Sequence, residues 1–148
     1  MKLWTLRVRC FLPLTIGIAL TAGAAPTYIG VDKCKLCHKI QYDSWSKTKH
    51  AKALDSLKPE ERAKKECIDC HITAGRADLA GVQCEACHGP GNDYKTLAVM
   101  KDKAKAAAAG LRIPAEKDCV VCHNKKSPNF KGFNFVEAVK KVHEHKKV

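Results

Sequence analysis

Four copies of one short pattern constrain this chain of 148 residues more than any other feature of its sequence. In each copy, two cysteines are separated by two residues and are followed at once by a histidine. Thiols at that spacing can form thioethers with the two vinyl groups of one porphyrin, and the adjacent histidine can bind its iron, so the pattern is that of covalent haem attachment. The four copies, named here the first to the fourth motif, occupy residues 34–38, 67–71, 84–88 and 119–123.

Zinc sites and disulfides also use closely spaced cysteines, but neither needs a histidine directly after the second one. Four identical units also exceed what a tetrahedral zinc site requires. We therefore predict four haem c groups, each attached by two cysteines and bound by one proximal histidine. The cysteines are Cys34, Cys37, Cys67, Cys70, Cys84, Cys87, Cys119 and Cys122, and the proximal iron ligands are His38, His71, His88 and His123.

The first 24 residues have the layout of a secretory signal peptide. They begin with basic residues, continue with an apolar run over 11–22 that is short for a membrane span, and end in small residues. We predict cleavage near Ala24/Ala25, export to the periplasm and no transmembrane segment. Residues 25–148 then form a single domain that holds all the haems.

Removing the signal peptide leaves only paired cysteines, because the ninth, Cys10, lies within it. It also leaves 24 basic and 15 acidic residues, a formal net charge of +9 with neutral histidines. An exported basic protein is suited to an acidic protein partner or an anionic membrane surface, and we do not expect it to bind nucleic acid. We therefore expect redox protein partners that are acidic at the docking face.

The exported chain has few large apolar residues, so an ordinary core would be hard to build. Four haems would supply that core, and we predict a mostly α fold, a small multihaem cytochrome of helices and loops with little or no β-structure. Apolar periodicity predicts helices over 40–57, 94–109 and 135–147. The short interval between the second and third motifs predicts that their haems are near neighbours.

Three histidines remain as sixth ligands for four irons, so at least one haem uses another ligand, takes one from a neighbouring molecule or stays open. His50 and His143 fall on the apolar faces of predicted helices and are the distal iron ligands that we favour. His145 is two positions further on, about 200° around the helix from His143, so the two rings should point in opposite directions and His145 should face solvent. Met100 also lies on an apolar helix face, where methionine is more often packing than ligand, and its role stays open.

Close packing of haems suits electron transfer, and a periplasmic electron carrier is the leading hypothesis. Two alternatives remain. One is an enzyme in which an open haem reduces a small molecule such as nitric oxide. The other is a polymeric cytochrome wire, in which an exposed residue such as His145 binds a haem of the next molecule.

The chain resembles the cytochrome c-554 family of tetrahaem carriers. The resemblance is carried by residues 34–51, with their Trp-x-x-Thr-x-His-Ala element, by 81–91, which contain Gly-Pro-Gly, and by the His-Glu-His of 143–145. It implies a mostly helical fold around haems stacked in pairs, distal ligation by the histidines matching His50 and His143, and a five-coordinate second haem. It also implies electrons received from a multihaem oxidoreductase such as hydroxylamine oxidoreductase.

The chain departs from this family pattern in two ways: it is shorter between its motifs, and it lacks one of the family's histidines. Family members carry a further distal histidine after the Gly-Pro-Gly turn, and it serves the first haem. Residues 89–118 of this chain contain no histidine. The resemblance therefore leaves the first haem, as well as the second, without a histidine as sixth ligand.

Overall fold

A computed structural model describes residues 25–146, and within them the chain forms short helices joined by turns. The prediction of a signal peptide falls on residues outside this range. β-structure in the described part is limited to isolated bridges from Ile72 to Ala80 and Gly81, so the mostly α prediction is confirmed. The helices are α1 Val31–Lys35, α2 Lys39–Trp45, α3 Pro59–Arg62, α4 Lys65–Ile68, α5 Cys84–His88, α6 Leu97–Met100, α7 Lys103–Ala108, α8 Glu116–Cys119 and α9 Phe135–Val139, with 3₁₀ turns at Leu54–Ser56 and Thr73–Gly75.

The first predicted helix, over 40–57, is much shorter in the structure. It corresponds to α2, which ends at Trp45. The hydroxyls of Ser46 and Thr48 donate to backbone carbonyls three residues earlier, at 3.0 and 2.7 Å. Such local bonds compete with the helical backbone, and the chain turns here instead of continuing as a helix. His50 therefore lies on a turn.

The other two predicted helices are also shortened. The segment 94–109 is divided into α6 and α7, because Asp102 accepts hydrogen bonds from the backbone N–H groups of Ala104 and Lys105 at 3.0 and 3.1 Å and so caps a new helix. The last helix, α9, ends at Val139. The remainder of the predicted 135–147 helix is turn and extended chain up to residue 146, and Lys147 lies outside the described residues.

The buried apolar core is small, as the composition predicts. It consists of five side chains, all located between residues 45 and 106 of the described chain. Three polar side chains are buried with them. The apolar members are Trp45, Ile72, Leu79, Tyr94 and Ala106, and the polar members are Thr73, Gln83 and Glu85.

Residues 72–83, which connect the second and third motifs, form a compact loop around Thr73. Its backbone N–H donates to Leu79 O at 2.9 Å, and its hydroxyl donates to Gly81 O at 2.9 Å and accepts from Gln83 N at 2.8 Å. The loop is therefore folded and held together by its own hydrogen bonds, and it is not an extended linker between the two motifs. No helix within residues 25–146 has both the length and the apolar composition needed to cross a bilayer.

Candidate haem-binding sites

Each motif forms a single helical turn that brings its cysteines and histidine to one side. In the first motif, the backbone N–H groups of Cys37 and His38 donate to Cys34 O at 3.2 and 2.9 Å. In the fourth, His123 N donates to Cys119 O at 3.0 Å. Residues three and four apart face the same way on a helix, and this is the arrangement that attachment of one porphyrin requires. None of these eight cysteines is paired in a disulfide within the described residues, so all of them are available for attachment.

Two of the proximal histidines are oriented by backbone carbonyls. His88 Nδ1 is 2.9 Å from Arg112 O, and His71 Nδ1 is 2.7 Å from Ala53 O. A carbonyl can only accept, so each Nδ1 carries the proton and each Nε2 is left with its lone pair free for a metal. The residues present therefore fit haem: paired thiols at the attachment spacing, beside an imidazole that is turned to bind iron.

The two predicted distal histidines each face a different proximal histidine. The ring centroids are 5.8 Å apart for His50 and His123, and 6.2 Å apart for His88 and His143. An imidazole nitrogen binds a metal at about 2 Å, and its ring centroid lies about 1 Å further back, so rings on opposite sides of one iron have centroids about 6 Å apart. Both pairs have the separation that an iron between them requires.

Burial favours the metal-binding form of two of these rings. It lowers the pKa of His50, with a smaller contribution from the neighbouring His123. It also lowers the pKa of His88, against the opposing effect of the hydrogen bond to Arg112. Because only a neutral imidazole has a lone pair for iron, both shifts favour ligation at neutral pH.

His50 is positioned by close contact between its backbone and residues 81–82. Val82 N donates to His50 O at 2.9 Å, and Trp45 Nε1 donates to Val82 O at 2.9 Å. Gly81 has φ +78°, and a Cβ at this position would lie 2.6 Å from Ala51 O. A side chain at 81 would therefore displace the segment that carries His50.

His143 is positioned by α2. Ser44 Oγ accepts from Glu144 N at 2.7 Å, and Gln41 Nε2 donates to Lys146 O at 2.6 Å. His145 is exposed, as predicted, but its ring centroid is only 4.7 Å from that of His143. The prediction that these rings point in opposite directions is wrong, because it assumed a helix that in fact ends at Val139.

One short segment, residues 38–56, supports every motif, either directly or by holding a histidine that faces it. It supplies His38 to the first motif, and Ala53 O orients His71 of the second. Ser44 holds the chain beside His143, which faces the third motif, and His50 faces His123 of the fourth. Of these residues, only the histidines could be identified from the sequence. Ser44 bonds through its hydroxyl to Glu144 N, and Ala53 bonds through its carbonyl to His71 Nδ1. Both partners are distant in sequence, so the residues around Ser44 and Ala53 carry no signal of these roles.

Contacts between cysteines place the motifs in an order that differs from the chain order. Cys34 lies in α1 and Cys84 begins α5, two helices in contact, and the interaction between the two thiols, together with burial, raises the pKa of Cys84. Burial, together with the nearby thiol of Cys70, raises the pKa of Cys122 to about 12. The first motif therefore adjoins the third and the second adjoins the fourth, two pairings that the short interval between the second and third motifs did not predict.

The third and fourth motifs are also close to each other. Burial raises the pKa of Cys87, and the charge of Cys119 adds to the increase, so these two thiols are near enough to interact. The attachment motifs thus follow one another in space in the order first, third, fourth, second. Among the described residues, no further cluster of histidine, cysteine, aspartate or glutamate is suited to a separate metal ion.

Repeated haem-attachment turns in a helical fold with a small apolar core define a c-type cytochrome. Comparisons with known proteins agree. The family model described as "Cytochrome c554 and c-prime" matches residues 33–89. The curated cytochrome c-554 of Nitrosomonas europaea is 32% identical over 194 aligned positions, which cover 91% of this chain and 82% of the relative. The chain belongs to the cytochrome c-554 family, and it is a haem protein of electron transfer.

A solved structure supports the same assignment for the fold. The reduced state of cytochrome c554 from Nitrosomonas europaea superposes with a TM-score of 0.64 at 29% identity. The match covers 84% of this chain and 88% of the other. The similarity therefore extends well beyond the segment that the family model matches.

Proposed function

We propose that this protein is a periplasmic electron carrier with four covalently bound haem c groups, and that it transfers electrons between redox protein partners. Each haem would supply a one-electron couple, while the chain sets spacing and ligation. The observation that carries the proposal is the placement of the histidines. Four lie in attachment turns, and the rings of two others have centroids 5.8 and 6.2 Å from that of a proximal histidine, which leaves room for one iron between each pair.

The same placement supports an assignment of the ligands. His88 and His143 would bind the third haem iron, and His123 and His50 the fourth. His145 lies beside His143 and its Nε2 is 2.9 Å from Val139 O, so it is engaged within its own segment. No histidine then remains for the sixth position of the first and second haems. Met100 ends α6 and is half-buried, and it stays the one methionine of the described chain that could serve as a ligand.

The order of the motifs supports passage of electrons from one end of the protein to the other. The first and second motifs are the ends of the series, and the third and fourth lie between them. Bis-histidine ligation would therefore fall on the two inner haems. The two haems without a second histidine would be the terminal ones, where electrons enter and leave.

The surface around the first motif suits an acidic partner. Leu36 is 79% exposed, and Ile40 is exposed nearby on the next helix. An apolar centre with a charged rim is typical of protein docking sites, and lysines supply the rim here, although one of them pairs with Asp43. The lysines are Lys33, Lys35, Lys39 and Lys47. We propose that a multihaem oxidoreductase, of which hydroxylamine oxidoreductase is the example suggested by the family, docks here.

Electron paramagnetic resonance of the oxidised holoprotein tests the ligand assignment. We expect two low-spin bis-histidine haems, and we expect His50→Ala and His143→Ala each to convert one of them to high spin. His145→Ala is the matched control and should leave both unchanged. Four bis-histidine signals in the parent protein, or loss of one in His145→Ala, would contradict the assignment.

A reductase activity at an open haem is the second candidate, and the missing sixth histidines of the first and second haems favour it. Nitric oxide or cyanide added to the reduced or oxidised holoprotein should then perturb the high-spin haems alone. If neither ligand changes any haem spectrum, this candidate is excluded, while the electron carrier is unaffected.

A further inference from the structure

Glu85 is a fully buried carboxylate within the third motif, and haem attachment does not require it. Its relative exposure is 0%. Oε1 and Oε2 accept from Ile29 N at 3.0 and 3.1 Å, Oε2 accepts from Gly30 N at 2.8 Å, and Oε1 accepts from Gly91 N at 2.6 Å. The side chain therefore joins the N-terminal segment to the turn after the third motif.

These bonds identify the side chain as an ionised carboxylate. Every partner is a backbone N–H donor, and both oxygens are occupied by such donors. A protonated carboxyl group would have to donate its own hydrogen, and none of these partners can accept it. Three backbone N–H groups stabilise the charge, and no cationic side chain is among its hydrogen-bond partners. The charge of Arg76 also interacts with it, but Arg76 is itself paired with Asp78.

The charge lies between two attachment sites. Glu85 follows Cys84 directly, and the Gly30 that donates to it has its carbonyl oxygen 3.9 Å from Cys34 Sγ. The carboxylate thus adjoins cysteines of both the first and the third motif. Because the site is closed to water, the charge is weakly screened and acts strongly on neighbouring groups.

The other three motifs have no buried acid at the equivalent position, which is the residue after the first cysteine. They carry Lys35, Ile68 and Val120 there. Asp69 of the second motif is acidic, but its side chain is 44% exposed and it pairs with Lys65 at 2.6 Å. The third motif therefore differs from the others in its electrostatics.

We propose that the Glu85 carboxylate lowers the reduction potentials of the first and third haems relative to the second and fourth, and thereby directs electrons from the first motif toward the second. The proposal rests on the four-haem electron carrier proposed above. An oxidised haem carries one more positive charge than a reduced one, so a fixed anion beside it stabilises the oxidised form. Electrons then move spontaneously toward the pair of haems that lacks this anion.

A redox titration of the holoprotein, followed by the spectra of the individual haems, tests the proposal. Glu85→Gln removes the charge and nearly preserves the shape. We expect the reduction equilibrium of the His88-bound haem to change about tenfold in favour of the reduced form, which is about 59 mV for a one-electron couple. The His123-bound haem should change much less. Asp69→Asn, which removes an exposed and paired charge, should move neither.

A purely structural role for Glu85 is separated by two further variants. Gln83 is also buried and accepts from Val31 N at 2.9 Å, so Gln83→Ala loosens the same N-terminal segment without changing the charge. Glu85→Asp keeps the charge and weakens the hydrogen bonds. We expect both variants to melt at lower temperature than the parent. In both, the reduction potential of the His88-bound haem should change by only a small fraction of the change that Glu85→Gln produces.

The outcomes are distinguishable. A folded Glu85→Gln protein with unchanged potentials overturns the proposal, and so does a shift of equal size in Gln83→Ala or Glu85→Asp. Should Glu85→Gln fail to fold, the parent protein still decides, because the His88-bound haem must then have a lower reduction potential than the His123-bound haem, and the reverse order overturns the proposal. In every case the low-spin spectra report separately whether the proposed ligation, and with it the proposed function, holds.

Discussion

The third and fourth motifs have the same five-residue pattern, but the chain supports them in different ways. The third motif is tied to distant segments: Glu85 holds Ile29 and Gly91, and His88 exchanges two hydrogen bonds of 2.9 Å with Arg112. The fourth motif is supported by near neighbours in sequence. Its contacts are Ala115 N to Asp118 Oδ2 at 2.8 Å, and Asn124 Nδ2 to the carbonyls of Val120 and Val121 at 2.9 and 2.8 Å.

Burial follows the same division. Every buried residue in the described chain lies at or before Ala106, and none lies in 107–146. The polypeptide alone can therefore fix the third motif, whereas the region of the fourth has almost no core of its own. In that region the haem and its axial ligands must provide the packing that apolar side chains supply in other small proteins.

The largest expected effect is on local stability when the attachment cysteines of one motif at a time are removed, because the two motifs should then respond differently. We expect Cys119→Ser/Cys122→Ser to lose one haem by mass and to leave residues 113–134 with opening free energies near zero, because their hydrogen bonds are local and no side chain among them is buried. Cys84→Ser/Cys87→Ser should also lose one haem, but residues 72–94 should retain most of their protection. Hydrogen exchange of both holoproteins measures the difference. Equal loss of protection in the two variants would mean that the chain does not support the third motif independently.

The features that depend on nearby residues could be predicted from the sequence. The four attachment patterns, the mostly α class and the shortage of apolar core all follow from residue types and short spacings. The helix lengths could not be predicted in this way. Ser46 and Thr48 bond to nearby carbonyls and Asp102 caps a new helix, so periodicity alone overestimated the length of each helix.

The features that depend on long-range contacts could not be predicted from the sequence. His50 and His143 could be selected as distal candidates, but which proximal ring each one faces depends on how segments 73 and 55 residues apart in sequence meet. Glu85 occupies a variable position of its motif, and its role is set by residues 29, 30 and 91. The twelve-residue interval between two motifs could not show that the loop around Thr73 bonds to itself.

A substitution at Gly81 sharpens the comparison on the side of the fourth motif. Gly81 and Gly110 both have positive φ, +78° and +98°, but a Cβ at 81 would lie 2.6 Å from Ala51 O, whereas a Cβ at 110 meets nothing within 4 Å. Backbone strain alone costs about 1–3 kcal/mol. We expect Gly110→Ala to lose only this free energy of unfolding. Gly81→Ala should lose more, and it should also alter the low-spin signal of the His50-bound haem.

Thermal or denaturant unfolding of the two holoproteins, followed by haem absorbance, measures both losses. Gly110→Ala is the matched control, since it has the same change of residue and a similar backbone conformation without the crowding. Equal losses in the two variants, with the low-spin spectra unchanged, would show that the contact at Ala51 does not hold the histidine segment in place.

The smallest expected effect concerns the hydrogen bond that holds the chain next to His143, the proposed distal ligand of the third haem. Ser44→Ala removes the acceptor for Glu144 N, a bond of 2.7 Å at an exposed site, and should cost about 1 kcal/mol. Because that bond holds the chain next to His143, we expect added imidazole or cyanide to displace this histidine several-fold faster. Ser46→Ala removes a hydroxyl that bonds only to Asp43 O in its own turn, so it should leave the displacement rate unchanged. If the two variants exchange ligands at the same rate, then α2 does not position His143, and the third haem depends on its own iron–ligand bonds as much as the fourth does.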